Sequence, residues 1–588
     1  MDSQERIAWL KEAKFGMFIH WGLYSLLAGE YKGEQVKGIA EWIMYRFHIP
    51  VSEYGKLKEQ FSAEKFCAKD WASMAKNAGM KYMVFTAKHH DGFCMYDSKI
   101  SDYNIMHTPF GRDAVLELSE ECQRQGIRFG CYYSQVQDWF EPDAVGNDWD
   151  FDAQKKDFQR YLDNKVKPQL KELIEKYHIS LIWFDTPFDI TKEQSMQLER
   201  FVHDLDPACV ISSRIGNDIG DYIGFGDNEF PAKNYPNFWE SIGTMNESWG
   251  YKKADHFWKS SGDIIKILID IVSKNGMYLL NVGPMPDGSF PKESVEILKD
   301  LNKFISVYHE AIYGAGENPF DREFDWGAIT QKGEKLYLFL YENRKSLQLY
   351  GIQSEVISVK GLRSKEELPF VYKKEKGIGY LCIDTSSLSA EPVDVVCLEF
   401  ENKPEICTDF EQDPDGKVIL IPDRAEIVHK QSEKKLENEQ QSFEMRAEVY
   451  RENAAEIGIS KCGILENWKD EKDYLIWHSV RVKKGRYRVY LTTLIERPYL
   501  WLGETEGFWE GGQDLVLNGD GKDYSFSLSC GEIIRNSRCL NYKRMRSDSG
   551  IVVDLNQDKI IEIKLSAKNL NVQRFGLRLV DLRLEPHD

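Results

Sequence analysis

Residues 68–92 read AKDWASMAKNAGMKYMVFTAKHHDG, and the order of features within them decides the fold. Trp71, Met74, Ala75 and Ala78 recur at helical spacing, which predicts a helix from about Ala63 to Ala78 with Gly79 as its stop. Tyr82–Lys88 then runs apolar almost without interruption, as a strand covered on both faces does. The run closes on His89, His90 and Asp91. A helix, a tight turn, a buried strand and a polar strand end make one unit of a parallel α/β fold.

The same unit recurs from residue 10 to about 315. Strands are predicted at Phe15–Trp21, Arg128–Ser134, Ser180–Thr186, Cys209–Ile215, Phe238–Ser241 and Met277–Gly283, and a helix over Asp113–Gln125 is closed by Gly126. Seven strands are distinct and an eighth is not. The count fits an N-terminal (β/α) TIM-like barrel over residues 1–320, with an open doubly wound sheet as the alternative. Beyond Gly316 the pattern turns to alternating strands with little helix: Lys335–Tyr341, Ser346–Tyr350, Val393–Glu399 and Lys417–Ile421. They predict a β-sandwich over 321–430. Gln431–Gln441, QSEKKLENEQQ, is polar and aperiodic and reads as a linker. A second sandwich is predicted over 442–588, with strands near Tyr474–Val482, Arg486–Leu494, Ile551–Leu555, Ile560–Leu565 and Gly576–Leu584. Trp468, Trp477, Trp501 and Trp509 there are either core residues or the stacking platform of a carbohydrate-binding module.

Composition narrows the partners. A net charge of −19 repels phosphate backbones, which argues against nucleic acid and anionic membrane surfaces. No run of 18 apolar residues occurs. The eleven cysteines are scattered, without paired metal-ligand spacing, and read as reduced core residues. A cytoplasmic location is expected, or an exported one if a leader has been removed. No metal and no cofactor are expected.

In a barrel of this kind the chemistry gathers at the C-terminal ends of the strands. The predicted strands close on His20-Trp21, His89-His90-Asp91, Tyr132-Tyr133-Ser134, Trp183-Phe184-Asp185, Ser213-Arg214 and Trp239-Glu240. Imidazole, phenol, carboxylate and guanidinium groups thus converge on one rim. Asp185 follows the buried run Leu181-Ile182-Trp183-Phe184, so its carboxylate either emerges at that rim or caps the next element. Glycoside hydrolysis needs a second carboxyl group, and Asp227, Glu229 and Glu240 lie downstream.

The segments FGMFIHWG (15–22), EWIMYRF (41–47), AKHHDGFCMYDS (87–98), GCYYS (130–134), LIWFD (181–185), WESIGTMNESWGY (239–251) and NGMYLLNVGPMPDG (275–288) resemble glycoside hydrolase family 29, the α-L-fucosidases. The resemblance spans roughly residues 6–320 and implies a retaining exo-fucosidase acting on a fucosylated oligosaccharide or glycoconjugate. It makes Asp185 the nucleophile and places fucose contacts at His20, Glu41, His89, His90, Tyr132 and Arg214. It sets Trp42, Trp183 and Trp249 as the wall against the sugar and its methyl group. A sugar with several hydroxyls and one methyl needs this mixture of hydrogen-bonding groups and aromatic faces.

The acid/base in that family sits on a variable loop some forty-odd residues after the nucleophile. Glu229, in GDNEFP, is the expected residue, and burial beside Phe230 should raise its pKa. Glu240 is the runner-up, or else a buried carboxylate supporting Arg214. The chain departs from many relatives in reading Thr186-Pro187 after the nucleophile where they have glycine. Three rival readings stand beside this one: a metal-dependent hydrolase using His20, His89, His90 and Asp185, a non-catalytic sugar-binding protein, and a retaining glycosidase of a related sugar such as galactose.

Overall fold

Eight parallel strands order the first half of the chain: β1 (Phe15–Ile19), β2 (Tyr82–Lys88), β3 (Arg128–Tyr133), β4 (Leu181–Phe184), β5 (Val210–Ile211), β6 (Ile223–Gly224), β7 (Trp239–Thr244) and β8 (Gly276–Val282). The computed structural model describes residues 1–235, 237–375, 378–407, 415–429, 457–460, 462–495, 509–534, 543–572 and 576–587. Their hydrogen-bonded order is β5-β4-β3-β2-β1-β8-β7-β6. The ends of that order meet: Asp221 N–H donates to Ile211 O at 2.9 Å, and Gly224 N–H donates to Ser213 Oγ at 2.8 Å. This is the ring of a TIM-like barrel.

Helices return the chain between strands. The helix Ala68–Asn77 starts five residues later than the expected Ala63, which itself takes a left-handed φ of 45°. In Ala114–Gln125, Asp113 accepts from Leu116 N–H as the N-cap, and Gly126 closes the helix at φ 74°. The helix Lys192–Leu205 carries a capping box between Thr191 and Gln194.

Two strand expectations are corrected. The fifth strand is only Val210–Ile211, because Ser213–Ile215 tightens into a 3₁₀ turn that carries Arg214. The strand holding Glu240 is the seventh, since the sixth is the two-residue β6. Glu240 is therefore the second residue of a strand running to Thr244, and lies inside the barrel rather than at its rim.

The described residues fall into two compact units. One contains Met1–Asn228 and Tyr235–Gly316; the other contains Glu229–Asn234 and the described residues from Glu317 onward. The second unit holds two sheet pairs. In the first, a sheet of Gly327–Lys332, Lys335–Leu340, Asp394–Glu399 and Ser358–Gly361 shares a core with the sheet Ser346–Tyr350, Ile378–Asp384 and Phe370–Glu375. In the second, seven-stranded and five-stranded sheets enclose a larger core.

Val418–Leu420 pairs with Leu577–Pro586 and joins that larger core, so the strand expected in the first sandwich belongs to the second. Alternation reveals a strand but not its partner. Trp468 and Trp477 are fully buried in the core, which removes them as stacking platforms, and half-buried Trp509 packs against that core. Trp501 and the expected linker 431–441 lie outside the described residues. Within the same unit, Ala232 N–H donates to Cys462 O at 2.8 Å, Asn234 Nδ2 donates to Asn318 O at 2.7 Å, and Lys233 pairs with Asp423. Among the described residues no helix is long and apolar enough to cross a membrane.

Candidate active site

The nucleophile expected at the end of β4 is held from several directions. Asp185 Oδ2 accepts from Tyr132 OH at 2.8 Å, and Oδ1 accepts from Arg214 Nη1 at 2.9 Å and from Thr186 N–H at 2.8 Å. Burial disfavours its charge, but the neighbouring Arg214 and His90 and the hydrogen bonds from Arg214 and Tyr132 outweigh that and hold its pKa below the usual carboxylate range. It is thus an ionised carboxylate in a site almost closed to water, which is the state a nucleophile needs.

Three imidazoles, just past the ends of β1 and β2, gather around Tyr132, the phenol that donates to this carboxylate. Asn281 Nδ2 donates to Trp249 O at 2.7 Å, so its Oδ1 faces His20 Nδ1, also at 2.7 Å. His20 therefore donates from Nδ1 and presents Nε2 as an acceptor. Ser134 Oγ donates to Gln137 O and accepts from His90 Nδ1, both at 2.7 Å, which leaves His90 Nε2 as an acceptor 3.6 Å from Asp185 Oδ2. His89 stacks on Tyr132 at 5.2 Å, and its buried Nδ1 makes no hydrogen bond among the described residues. Burial lowers the pKa of His20 and of His90 to about 4 and that of His89 well below its ordinary value. All three are neutral at pH 7 and able to exchange hydrogen bonds with hydroxyl groups.

The aromatic wall is present around them. Trp183 stacks on Tyr132 at 5.6 Å, Trp249 lies 5.3 Å from His20, and half-buried Trp42 lies 5.3 Å from His90. Glu41 is buried, accepts from Gly250 N–H at 2.9 Å and from Ser248 Oγ at 3.3 Å, and is pushed up to about 7 by burial.

Of the three downstream carboxyl groups, Asp227 shares Arg214 with Asp185. Arg214 Nη2 donates to Asp227 Oδ1 at 2.6 Å, while the guanidinium lies 4.9 Å over the Trp183 ring. Asn228 next to it takes a left-handed φ of 54°, and its Oδ1 accepts from Thr244 N–H at 2.9 Å, which pins the turn. Glu229 is buried and opens the 229–234 stretch counted with the second unit. Glu240 accepts from Trp183 Nε1 at 2.7 Å, Tyr222 OH at 3.2 Å and Tyr82 OH at 3.3 Å, and burial raises it to about 7. It orients Trp183 from below and makes no hydrogen bond to Arg214.

Sequence reading missed Gln135 and Gln137. Asp185 N–H donates to Gln135 Oε1 at 3.0 Å, Gln135 Nε2 donates to Arg214 O at 2.9 Å, and Gln137 Nε2 donates to Thr186 Oγ1 at 2.9 Å. The one available signal was that polar residues continue past the end of β3 in the run SQVQD. Among the described residues no three His, Cys, Asp or Glu side chains gather as a metal-binding group.

The chain is similar to one family throughout this region. The family model described as Alpha-L-fucosidase matches residues 1–310. The tissue alpha-L-fucosidase of Homo sapiens is 31% identical over 365 residues, covering 58% of this chain and 77% of the relative. The crystal structure of alpha-L-fucosidase from Vibrio sp. strain EJY3 superposes with a TM-score of 0.85 at 27% identity, over 99% of this chain and 98% of that one. A trapped covalent intermediate of an alpha-L-fucosidase from Bacteroides thetaiotaomicron with 2-fluoro-fucosyl fluoride matches with a TM-score of 0.61 at 27% identity, over 67% of this chain and 96% of that one.

Proposed function

We propose, for a chain that belongs to the α-L-fucosidase family, that Asp185 is the nucleophile of a double displacement and that the acid/base carboxyl comes from the 227–229 turn. The protein is a glycoside hydrolase, a retaining α-L-fucosidase. Its substrate is a fucosylated glycan, and we propose that it removes terminal fucose. The observation that carries the reading is the Asp185 carboxylate, held ionised between Tyr132 and Arg214.

In the first step Asp185 attacks the anomeric carbon while the acid carboxyl protonates the departing oxygen, giving a fucosyl ester. In the second, the same carboxyl, now ionised, takes a proton from water as that water attacks, and fucose leaves with its configuration retained. His20, His89 and His90, as neutral groups, exchange hydrogen bonds with the sugar hydroxyls. Trp183 and Trp249 face its apolar side. Asp227 is favoured as the acid/base because it and Asp185 sit on the two terminal nitrogens of one guanidinium. That proximity suits the ~5–5.5 Å separation of retaining enzymes better than the wider spacing of inverting ones. Glu229, two positions on, is the second candidate, favoured by its burial.

The test is turnover of 4-nitrophenyl α-L-fucoside in EDTA by wild type, Asp185→Ala, Asp227→Ala and Glu229→Ala, each with and without azide. Asp185→Ala is expected to lose at least ~10³-fold in kcat and to yield only inverted fucosyl azide. Asp227→Ala is expected to be rescued by azide with formation of the retained azide, and Glu229→Ala to need no rescue. Rescue of Glu229→Ala instead would transfer the acid/base role to Glu229. Near-wild-type turnover by Asp185→Ala would refute the nucleophile.

A further inference from the structure

Aromatic rings continue outward from the pocket in an unbroken file. The ring of His90 is 5.3 Å from Trp42, Trp42 is 5.5 Å from Tyr45, and Tyr45 is 5.7 Å from Trp149. Trp149 in turn stacks on the His48 ring at 5.0 Å and 23°. Burial relaxes steadily along this file: His90 is buried, Trp42, Tyr45 and Trp149 are half-buried, and His48 is exposed. The first three steps are edge-to-face, with interplanar angles of 77°, 78° and 76°, so at each of them the edge of one ring meets the face of its neighbour.

The outer part of the file is fixed rather than draped over the surface. Trp149 Nε1 donates to Ile49 O at 3.1 Å, and Val51 N–H donates to Asp150 Oδ2 at 2.9 Å. Asn147 Nδ2 donates to Trp139 O at 2.7 Å and to Asp150 Oδ2 at 3.1 Å, tying the loop back to the ring that packs on His90. His48 holds its ring there from a left-handed backbone, φ 46°, a conformation disfavoured for a residue with a side chain. Two separate chain segments, 45–51 and 147–150, are thus locked together to display three rings at the surface.

We propose that Tyr45, His48 and Trp149 form a binding subsite for the leaving-group portion of the substrate, and that its occupant is a pyranose docked by its apolar C–H face. The inference rests on the α-L-fucosidase reading. The glycosidic oxygen joins fucose to the leaving sugar at the atom Asp185 attacks, so that sugar must lie beside the pocket that Trp42 borders. From His90, whose Nε2 is 3.6 Å from Asp185, the file runs through half-buried rings to the exposed His48, and this outward course is the one that a second or third sugar would follow. Rigid aromatic faces bind such sugars with little loss of side-chain freedom.

Two substrates separate this subsite from the fucose pocket. α-L-Fucosyl fluoride has a one-atom leaving group that cannot reach the file. The other substrate is whichever member of a panel of fucosyllactoses and fucosyl-N-acetylglucosamines the wild type cleaves best. For Trp149→Ala and for His48→Gly, which suits glycine's backbone at that φ, kcat/KM on the oligosaccharide is expected to fall about tenfold, mainly through KM. The value on the fluoride should stay within about twofold. Parallel losses on both substrates in both variants, or no loss in either, overturn the proposal. A wild type that hydrolyses the fluoride but no oligosaccharide overturns it as well. Failure of the wild type on both substrates would instead sink the fucosidase reading itself.

Discussion

Thr186 follows the nucleophile directly and stands in a left-handed conformation, φ 40°, which a β-branched residue adopts only when its surroundings hold it. Its amide donates to Asp185 Oδ1 and its hydroxyl accepts from Gln137 Nε2 at 2.9 Å. Replacing it with glycine relieves about 1–2 kcal/mol of backbone strain but loses the hydroxyl and gains chain entropy in the unfolded state, at about 1 kcal/mol each. Thr186→Gly is therefore expected to stay within about 1 kcal/mol of wild type in urea unfolding. Thr186→Val keeps the branch, leaves the buried Gln137 amide unsatisfied, and should lose about 1–3 kcal/mol. Equal stability of the two variants would contradict this account. At this scale, His20, His89, His90 and Asp185 were legible in the sequence because each polar group ends an apolar run. Gln135, Gln137 and Asn281 were not, because they act on Asp185, Thr186 and His20 from other segments, through contacts that leave no local pattern. Glu240 was misplaced because β7 continues four residues beyond it.

Strands β5 and β6 have two residues each, and β6 is too short for any periodicity, which is why one strand of the eight was invisible. A side chain reinforces the backbone bond from Asp221 N–H to Ile211 O that joins them. Asp221 accepts from Ile211 N–H through Oδ2 at 2.8 Å and from Arg6 Nε through Oδ1 at 3.0 Å, while Arg6 Nη1 also donates to Pro207 O at 3.1 Å. Arg6 and Asp221 are 8% and 7% exposed, so the pair is desolvated and each partner depends on the other. Asp221→Ala leaves a buried guanidinium and a strand amide without their acceptor. The expected loss is about 3–5 kcal/mol in denaturant unfolding, with Arg6→Met/Asp221→Leu losing less than Asp221→Ala alone. A loss below about 1 kcal/mol for Asp221→Ala would show that the ring closes without this pair. Longer elements were read correctly because their signals are long: β2 and β8 span seven residues each, and Ala114–Gln125 carries both caps. Val418–Leu420 was recognised as a strand but assigned to the wrong sheet, since pairing across 150 or more residues is settled by packing alone.

Across the whole molecule, the architecture was legible because the hydrophobic period changes near Gly316 from helix-and-strand to strand alone, and the two β-rich cores follow that change. The balance of buried charge was not legible, because it depends on which titratable groups the fold removes from water. Burial raises Glu41, Asp91 and Glu240 to about 7 from ordinary values of 4.5, 3.8 and 4.5. Between those limits the unfolded chain has released protons that the folded one keeps, so these groups make stability fall as pH rises. Burial lowers His20 and His90 from 6.5 to about 4, with His89 lower still. Over that range the unfolded chain binds protons that the folded one does not, so the imidazoles make stability rise with pH. Three carboxyl groups and three imidazoles thus oppose one another up to about pH 6.5, above which the imidazole contribution levels off. Stability is expected to be nearly flat from about pH 4.5 to 6.5 and to drop by about 1–2 kcal/mol toward pH 8, read from unfolding midpoints followed by tryptophan fluorescence. Glu240→Gln removes one of the three titrating carboxyl groups while its amide can still accept from Trp183 and donate to a tyrosine hydroxyl. It should gain on wild type by somewhat under 1 kcal/mol between pH 6.5 and 8. A gain at acidic pH instead, or parallel curves throughout, would mean that Glu240 is ionised in the folded protein and that its three donors outweigh its burial.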